Sequence, residues 1–367
     1  MDENLIYYLW MKLTCGASDV TVKKLVDYFG SAQKVYAQND IEAFCHIEGM
    51  RTKNAEKLAG CKSLKEAEQK MPQLEKSGIE CITYESGAYP EMLQEIYDPP
   101  AYLFYKGTNV LKHHGVCIAV VGSRKATEYG RQCAYSLSGQ LAQSGITVVS
   151  GLAYGIDSYS HKGACDAKAP TVAVLGSGTD RVYPKVNRSW YCEILETGGM
   201  VMSEFLPDTP PANYNFPRRN RIISALSYGT LVVEAGLKSG SLITAKYALE
   251  QGREVYAVPG NITSEMSEGT NKLIKDGAKP VACANDILED LFSVLRPVAL
   301  RKEIAHAELT DDEALLMSKV VSGVQTPDAL AETLGMSASQ VSALLTAMEL
   351  KQAVSVRMGT VYAAYRR

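Results

Sequence analysis

The spacing of apolar residues changes twice along the chain. Up to about residue 80 they recur every three or four positions, as in Leu5, Leu9 and Leu13, then Val22, Leu25, Val26 and Phe29 before Gly30. That period predicts short amphipathic helices, and the narrowness of each stripe means that they must pack on one another. Ile47-Glu48-Gly49-Met50, with Ala55 and Leu58 following, has the form of a degenerate helix-hairpin-helix, whose glycine turn would offer amides to a phosphate. Its second hairpin glycine is absent, and a bundle used for packing or protein contacts is the simpler reading. A stretch rich in tyrosine and proline follows, from Tyr89-Pro90 to Asp98-Pro99-Pro100-Ala101-Tyr102-Leu103-Phe104-Tyr105. Its prolines forbid a long helix and place a domain boundary near 108.

From Val116 short β-branched runs take over, at 116–121, 146–149, 171–175, 200–202, 230–233, 255–258 and 281–283. Between them lie helical stretches such as 126–144, where Tyr129, Cys133, Leu137 and Leu141 recur every fourth residue. This alternation predicts an α/β domain with a parallel sheet covered by helices on both faces. Small residues follow the strands: Gly122-Ser123-Arg124 the first, Ser150-Gly151 the second, Gly176-Ser177-Gly178 the third, Ser203 the fourth and Pro259-Gly260 the sixth. In an open α/β sheet such turns gather at the carboxyl edge, where ligands bind, and small residues let a ligand approach the amides of helix starts. One glycine turn alone signifies only tight strand-to-helix geometry. Five turns of small residues on one edge, four of them with glycine, together with Arg124 and the arginine turn that borders them, point to a polyanion site.

The stretch Asn215-Phe216-Pro217-Arg218-Arg219-Asn220-Arg221 borders that edge. Proline before an apolar-periodic run marks a helix start, with Asn213 or Asn215 as its cap. Three arginines then fall where the helix dipole is already positive, at a cost of roughly 0.3–1 kcal/mol each. The placement makes sense if Arg218, Arg219 and Arg221 await an anion that the helix-start amides also favour. Phe216 adds a flat ring, and charge beside a stacking platform is what a single-stranded nucleic acid requires. The alternative is a solvated basic turn paired with Asp208 or Glu204.

Residues 296–308 lose periodicity and contain Pro297, as a linker does. Beyond them, 310–321 reads as a helix, Thr326-Pro327 opens a second that ends at Gly335, and Ser337 caps a third through Leu350. Two β runs around Met358-Gly359 complete a winged helix-turn-helix pattern. Its third helix carries no lysine or arginine, so a protein contact or a regulatory role is at least as well supported as duplex binding.

The totals narrow the options. A chain of 367 residues supports two or three domains, and a formal net charge of -3 excludes polyanion binding through an overall positive field. Any nucleic-acid site must be a local concentration of charge. The acidic start and the lack of a long apolar run predict a soluble cytoplasmic protein with no membrane span. Nine scattered cysteines without a Cys-x-x-Cys pair read as reduced packing residues, not disulfides or a metal site.

Neither a Gly-x-Gly-x-x-Gly fingerprint nor a P-loop is present, so no cofactor is expected. Asp157 and His161 share one helix face, and Glu204 and Glu234 are candidate paired acids, but no nucleophile elbow accompanies them. Capping and a local Asp-His contact are the better reading, and catalysis is the minority case. The rival is a nucleotide or nucleoside-phosphate hydrolase, because Gly229-Thr230-Leu-Val-Val-Glu234 resembles half of the Gly-Gly-x-Gly-Thr-x-x-Glu element of such enzymes, with Ser227-Tyr228 in place of the first glycines. A transcription factor led by the winged module is the third possibility, disfavoured by the acidic balance there.

Seven ordered blocks resemble the DprA/Smf family of bacterial DNA-processing proteins. They are Val121-Gly-Ser-Arg124, Ser150-Gly-Leu-Ala-x-Gly-Ile-Asp157, Gly176-Ser-Gly-x-Asp180-x-x-Tyr183-Pro184, Phe216-Pro-x-Arg-Asn-Arg-Ile-Ile-Ser224, Val232-Val-Glu-Ala235, Ser239-Gly-Ser-Leu-Ile-Thr-Ala245 and Ala257-Val-Pro-Gly260. The resemblance implies a Rossmann-like domain over 109–295, preceded by a small helical domain of SAM or helix-hairpin-helix type with its connector (1–108). A winged-helix domain over 309–367 follows the linker. It further implies a dimeric, non-enzymatic recombination mediator that protects incoming single-stranded DNA and loads RecA onto it during natural transformation. Carried over by motif, Arg124 would contact backbone phosphate, Lys185 and Arg218 would extend the basic track, and Phe216 would lie against a base or the sugar-phosphate chain. With Gly122, Ser123, Ser150, Gly151, Gly176, Ser177, Gly178, Pro217, Arg219, Asn220, Arg221, Gly240 and Ser241 they make up the expected DNA site. Tyr154 stands where some relatives carry a basic residue, and Trp190 where an aliphatic one is common.

Overall fold

The computed structural model describes residues 2–113, 115–291, 310–321, 326–350, 354–357 and 360–363. Two compact units divide the chain, Met1–Ile287 and Leu288–Arg367. The first opens with helices α1 (Leu5–Cys15), α2 (Asp19–Phe29), α3 (Ala32–Ala37), α4 (Ile41–Cys45), α5 (Thr52–Gly60), α6 (Lys65–Glu68) and α7 (Met71–Lys76). Their stripes meet as the sequence pattern requires: Leu5, Leu9, Val22, Leu25, Phe44 and Leu58 form one buried cluster. Leu13 lies outside it, at the surface and 37 % exposed. Ser18 caps α2 by accepting the Thr21 N–H, and left-handed Gly30 ends it.

Next come β1 (Glu80–Thr83), α8 (Glu91–Gln94), β2 (Tyr102–Gly107), β3 (Cys117–Val121), α9 (Glu128–Gln143), β4 (Thr147–Ser150), α10 (Ile156–Asp166) and β5 (Thr171–Val174). They are followed by α11 (Arg188–Glu196), β6 (Met200–Ser203), α12 (Asn215–Ala225), β7 (Gly229–Val232), α13 (Ser241–Glu250), β8 (Glu254–Ala257), α14 (Glu268–Lys275) and β9 (Lys279–Pro280). The nine strands form one sheet in the order β1-β2-β6-β5-β4-β3-β7-β8-β9. From β6 to β9 every pairing is parallel, and the strands of its centre are buried along their whole length. That is why their sequences are unbroken apolar runs instead of alternating ones.

Two sequence expectations need correction. The stretch before 108 is not merely a connector, because β1 and β2 pair with each other and β2 continues the sheet antiparallel to β6. The sheet therefore runs across the expected boundary, and the prolines lie in the loop between two strands instead of between two domains. The last strand is β9 at 279–280, ahead of the run at 281–283.

The helices and the sheet are tied by ions. Asp19, the first residue of α2, contacts Lys12 and Arg218, and Glu204, just after β6, lies 2.9 Å from Arg218 and 2.8 Å from Arg221. Arg221 reaches Asp98 at 2.7 Å through Nε. Three cations thus face three carboxylates, and Arg221 and Glu204 are each only 2 % exposed. Burial pushes the Asp19 carboxyl up, but Lys12, Arg218 and Arg221 outweigh it and hold the group below its usual value. Burial dominates at Glu204 and raises it.

The second unit contains helices Asp311–Val321, Pro327–Leu334 and Ala338–Leu350, with strands Val354–Arg357 and Thr360–Ala363 paired antiparallel. Thr326 caps the second helix and left-handed Gly335 ends it. Leu316, Leu330, Val341, Leu345, Met348 and Val361 form its core. The linker at 296–308 and the turn at Met358-Gly359 lie outside the described residues. Among the described residues no helix is long and apolar enough to cross a membrane.

Removing one member of a buried ion cluster leaves the others uncompensated, typically at about 3–5 kcal/mol. Arg221→Met is expected to lower the unfolding free energy by about that amount in a urea titration, and a change under about 1 kcal/mol would show that the cluster does not carry this load.

Candidate nucleic-acid interface

The chain leaves β3 toward β4, β5 and β6, then returns so that β7 takes its place on the other side of β3. Outside the carboxyl ends of such a pair lies the crevice where open α/β sheets bind ligands. A cavity of about 790 Å³ occupies it. Gly122, Ser123 and Arg124 line it from the turn after β3, Phe216, Pro217, Arg219 and Asn220 from the start of α12, and Gly240 and Ser241 from the start of α13. A smaller adjoining cleft shares Arg124, Phe216 and Arg219 and adds Gly151, Tyr154, Gly176, Ser177 and Tyr183.

Aromatic and cationic groups meet between the two. The Arg124 guanidinium stands 5.0 Å from the Phe216 ring centre, and Tyr183 stacks on Phe216 at 5.6 Å with the planes 28° apart. A Cβ on Gly176 would lie 2.7 Å from the Phe216 ring, so only glycine lets the ring approach the turn after β5. Beneath lies Arg219, whose Nη1 donates to the Gly151 carbonyl at 2.8 Å and also to that of Val174. A Cβ on Gly151 would meet that guanidinium at 2.5 Å. Burial lowers Arg219 to about 10, with Asp157 opposing the shift, so the group stays charged at neutral pH. Arg124, Lys125 and Lys238 line the cavity, are exposed and form no salt bridge among the described residues.

The three arginines of α12 therefore have different fates. Arg219 floors the site. Arg221 is buried against Glu204 and Asp98, away from both cavities, and cannot await an external anion. Arg218 is 46 % exposed but engaged by Asp19 and Glu204. Pairing with Glu204 is thus the correct reading for these two, whereas Asp208 pairs with Arg181. Neither asparagine caps the helix: Tyr214 stands at the cap without a side-chain bond, and Asn215 donates to the Gly176 carbonyl at 3.0 Å. Ser150 is fully buried and donates to the Val120 carbonyl, while Gly178 backs onto the chain at Leu206 and Asp208. Lys185 is exposed one residue past Pro184 and lines neither cavity. Sequence reasoning did not single out Lys125, Lys238 or the Tyr183 ring, although each sits in or beside a quoted motif. Tyr154 is exposed at the cleft, and Trp190 is half-buried beside Lys162.

The candidate catalytic groups are otherwise engaged. Glu234 is 2 % exposed and accepts both the Thr127 N–H and its hydroxyl, at 2.7 and 2.6 Å, so it closes the start of α9 instead of facing a substrate. Glu204 belongs to the ion cluster. Asp157 accepts from the Ala153 amide, and burial raises its carboxyl. His161 is fully buried on Thr171, 2.9 Å from Nδ1 to Oγ1, and not on Asp157. The Thr171 hydroxyl donates to the Val148 carbonyl, so Nδ1 carries the imidazole hydrogen. Among the described residues no cluster of His, Cys, Asp or Glu could hold a metal, and all nine cysteines are free thiols.

The family model described as DNA recombination-mediator protein A matches residues 80–292. The chain belongs to that family. The DprA winged-helix domain model matches residues 302–359. Protein Smf of Escherichia coli K12 is 41 % identical over 291 residues, 78 % of each chain. DNA processing protein DprA of Bacillus subtilis is 43 % identical over 247 residues, 65 % of this chain and 82 % of that one. Among solved structures, DprA from Streptococcus pneumoniae aligns with a TM-score of 0.68 at 32 % identity, covering 77 % of this chain and 97 % of the other. DprA from Helicobacter pylori, described for its single-stranded DNA binding mode, aligns at 0.53 with 27 % identity over 59 % of this chain and 96 % of the other.

Burial lowers the His161 pKa to about 3 from an ordinary 6.5, so the folded protein holds it neutral while the unfolded chain protonates it below 6.5. Its contribution is intact above pH 6.5 and is lost as pH falls toward 3, at about 1.4 kcal/mol per pH unit. His161→Leu should flatten the stability–pH curve by about that slope between pH 6 and 4. Parallel curves for the two proteins would refute the buried neutral imidazole.

Proposed function

We propose that this member of the recombination-mediator family binds single-stranded DNA across the cavity at the β3–β7 switch point and delivers the protected strand to RecA during natural transformation. The observation that carries the reading is the Arg124–Phe216–Tyr183 assembly, an exposed cation and two rings at a glycine-lined strand edge. Unpaired bases stack on such rings whatever their identity, and duplex bases cannot reach them. Arg124, Lys125 and Lys238 supply phosphate contacts, and the buried Arg219 adds positive potential from below. The named binding mode of the Helicobacter pylori relative supports the same ligand. Transfer to RecA and a homodimer formed through the Rossmann-like domain belong to this proposal on the strength of the family resemblance. So does the cytoplasmic setting.

Fluorescence anisotropy with matched single-stranded and duplex oligonucleotides over a salt series tests it. Single strands are expected to bind more tightly. Arg124→Ala should weaken them and reduce the slope of log affinity against log salt by about 0.7, the value for one phosphate contact on a single strand. Phe216→Ala should cost about 1–3 kcal/mol with the slope unchanged, because stacking releases no counterions. Binding indifferent to both substitutions would remove the cavity from the mechanism.

A further inference from the structure

The helices that start at the carboxyl edge of the sheet are finished differently. Glu234 closes the start of α9, and Asp157 lies in the first turn of α10. The start of α13 lines the cavity with Gly240 at its cap, and its first amide is met only by the neighbouring Ser239 hydroxyl, at 3.4 Å. One turn in, Thr244 is 1 % exposed, lines the cavity and makes no hydrogen bond through its hydroxyl among the described residues. That oxygen is not sealed off, unlike the orphaned hydroxyls of Thr179 and Thr230. What little of Thr244 remains open therefore faces the cavity. Ser241, three residues earlier on the same helix face, shares a 2.7 Å hydrogen bond with Ser239, which leaves one hydroxyl hydrogen of the pair to donate.

A buried donor without a partner costs free energy unless an external acceptor meets it. Here it stands in the first turn of α13, at the positive end of the helix dipole, beside the Ser239–Ser241 hydroxyl pair and an exposed Lys238, an arrangement that favours a compact anion. Past this corner the lining changes sign, with Glu265 and Glu268 on the wall. A strand of phosphodiesters running on would pass both carboxylates, whereas one that ends here would not. A terminal phosphate also carries close to two charges and three acceptor oxygens, more than a diester offers.

We propose that the start of α13, with Thr244, Ser241 and Lys238, seats the terminal phosphate of a DNA single strand, so that the site grips the end of the chain as well as its interior. This rests on the strand-binding reading above. The experiment measures the full-length protein against one short oligothymidylate carrying a 5′-phosphate, a 3′-phosphate or neither. One phosphorylated end should bind roughly tenfold more tightly than the unphosphorylated oligonucleotide, the worth of one charge-assisted hydrogen bond. Thr244→Val should close that gap and Thr244→Ser should keep it. Ser241→Ala provides the same comparison if Thr244→Val does not fold. Equal binding of all three oligonucleotides, or a gap that survives Thr244→Val, overturns the inference. If thymidine monophosphate competes as strongly as the phosphorylated oligonucleotide, the corner takes free nucleotides and the strand-end assignment is wrong. Should the three bind alike but depend on Arg124, the end site fails while strand binding stands; if none binds, both fail.

Discussion

The arrangement of the rim depends on a buried guanidinium. Arg219 lies under the first turn of α12 and donates to carbonyls at the ends of β4 and β5. Those carbonyls point past the last rungs of the sheet, where no further strand pairs with them, so the guanidinium satisfies them and they offset its loss of water. Asp157, itself buried, adds an opposite charge. Because the link starts at one residue of α12, it fixes where the helix begins and hence where Phe216, three positions earlier, sits over Gly176. Glycines at 151 and 176 are what allow the approach, since a Cβ at either would strike the arginine or the ring.

The ion cluster secures the same helix from its other side. Asp19 and Glu204 come from the N-terminal helices and from the end of β6, and both reach arginines of α12. Ion pairs of this kind contribute little net stability compared with apolar packing, but breaking one is costly. Their effect is therefore on geometry: α12 is held at one angle between the helical layer and the strand ends. The exposed cations that line the cavity remain outside the network, so the positive charge available to a ligand is local in a chain whose net charge is -3.

Much of this was legible in the sequence, for identifiable reasons. The parallel strands were visible because strands buried on both faces are unbroken β-branched runs, and the carboxyl edge because small residues follow each of them. The winged unit followed from Thr326-Pro327, Gly335 and Ser337, which are local helix signals. The strands β1 and β2 were hidden by surrounding prolines and tyrosines, since pairing with β6 is a contact some hundred residues away that no local period encodes. The pairing of Arg218 and Arg221 was missed for the same reason. A cation at a helix start implies an anion, but nothing local says that the anion for Arg218 is Asp19, on a different helix. Arg124 makes no salt bridge among the described residues and stands over the Phe216 ring, so its exposed position at the strand end matches its place directly after an apolar run and a Gly-Ser turn.

The fold also explains how a Rossmann-like sheet serves a chain with no dinucleotide fingerprint. In dinucleotide folds the helix after the first strand presents its amides to a pyrophosphate. Here the equivalent helix is α9, and its start is filled by the Glu234 carboxylate, which a Cβ on Gly130 would strike at 2.4 Å. A phosphate in that place would meet a fixed carboxylate instead of open amides. The residue that resembles a hydrolase glutamate is thus engaged by the Thr127 amide and hydroxyl. With that seat closed, the turn at Arg124 and the start of α13, with its Thr244 and Ser241 hydroxyls, both line the cavity. Two anchor points on one open crevice suit an extended polyanion better than a compact cofactor. The third helix of the winged unit, Ala338–Leu350, has no basic residue with which to neutralise a duplex backbone.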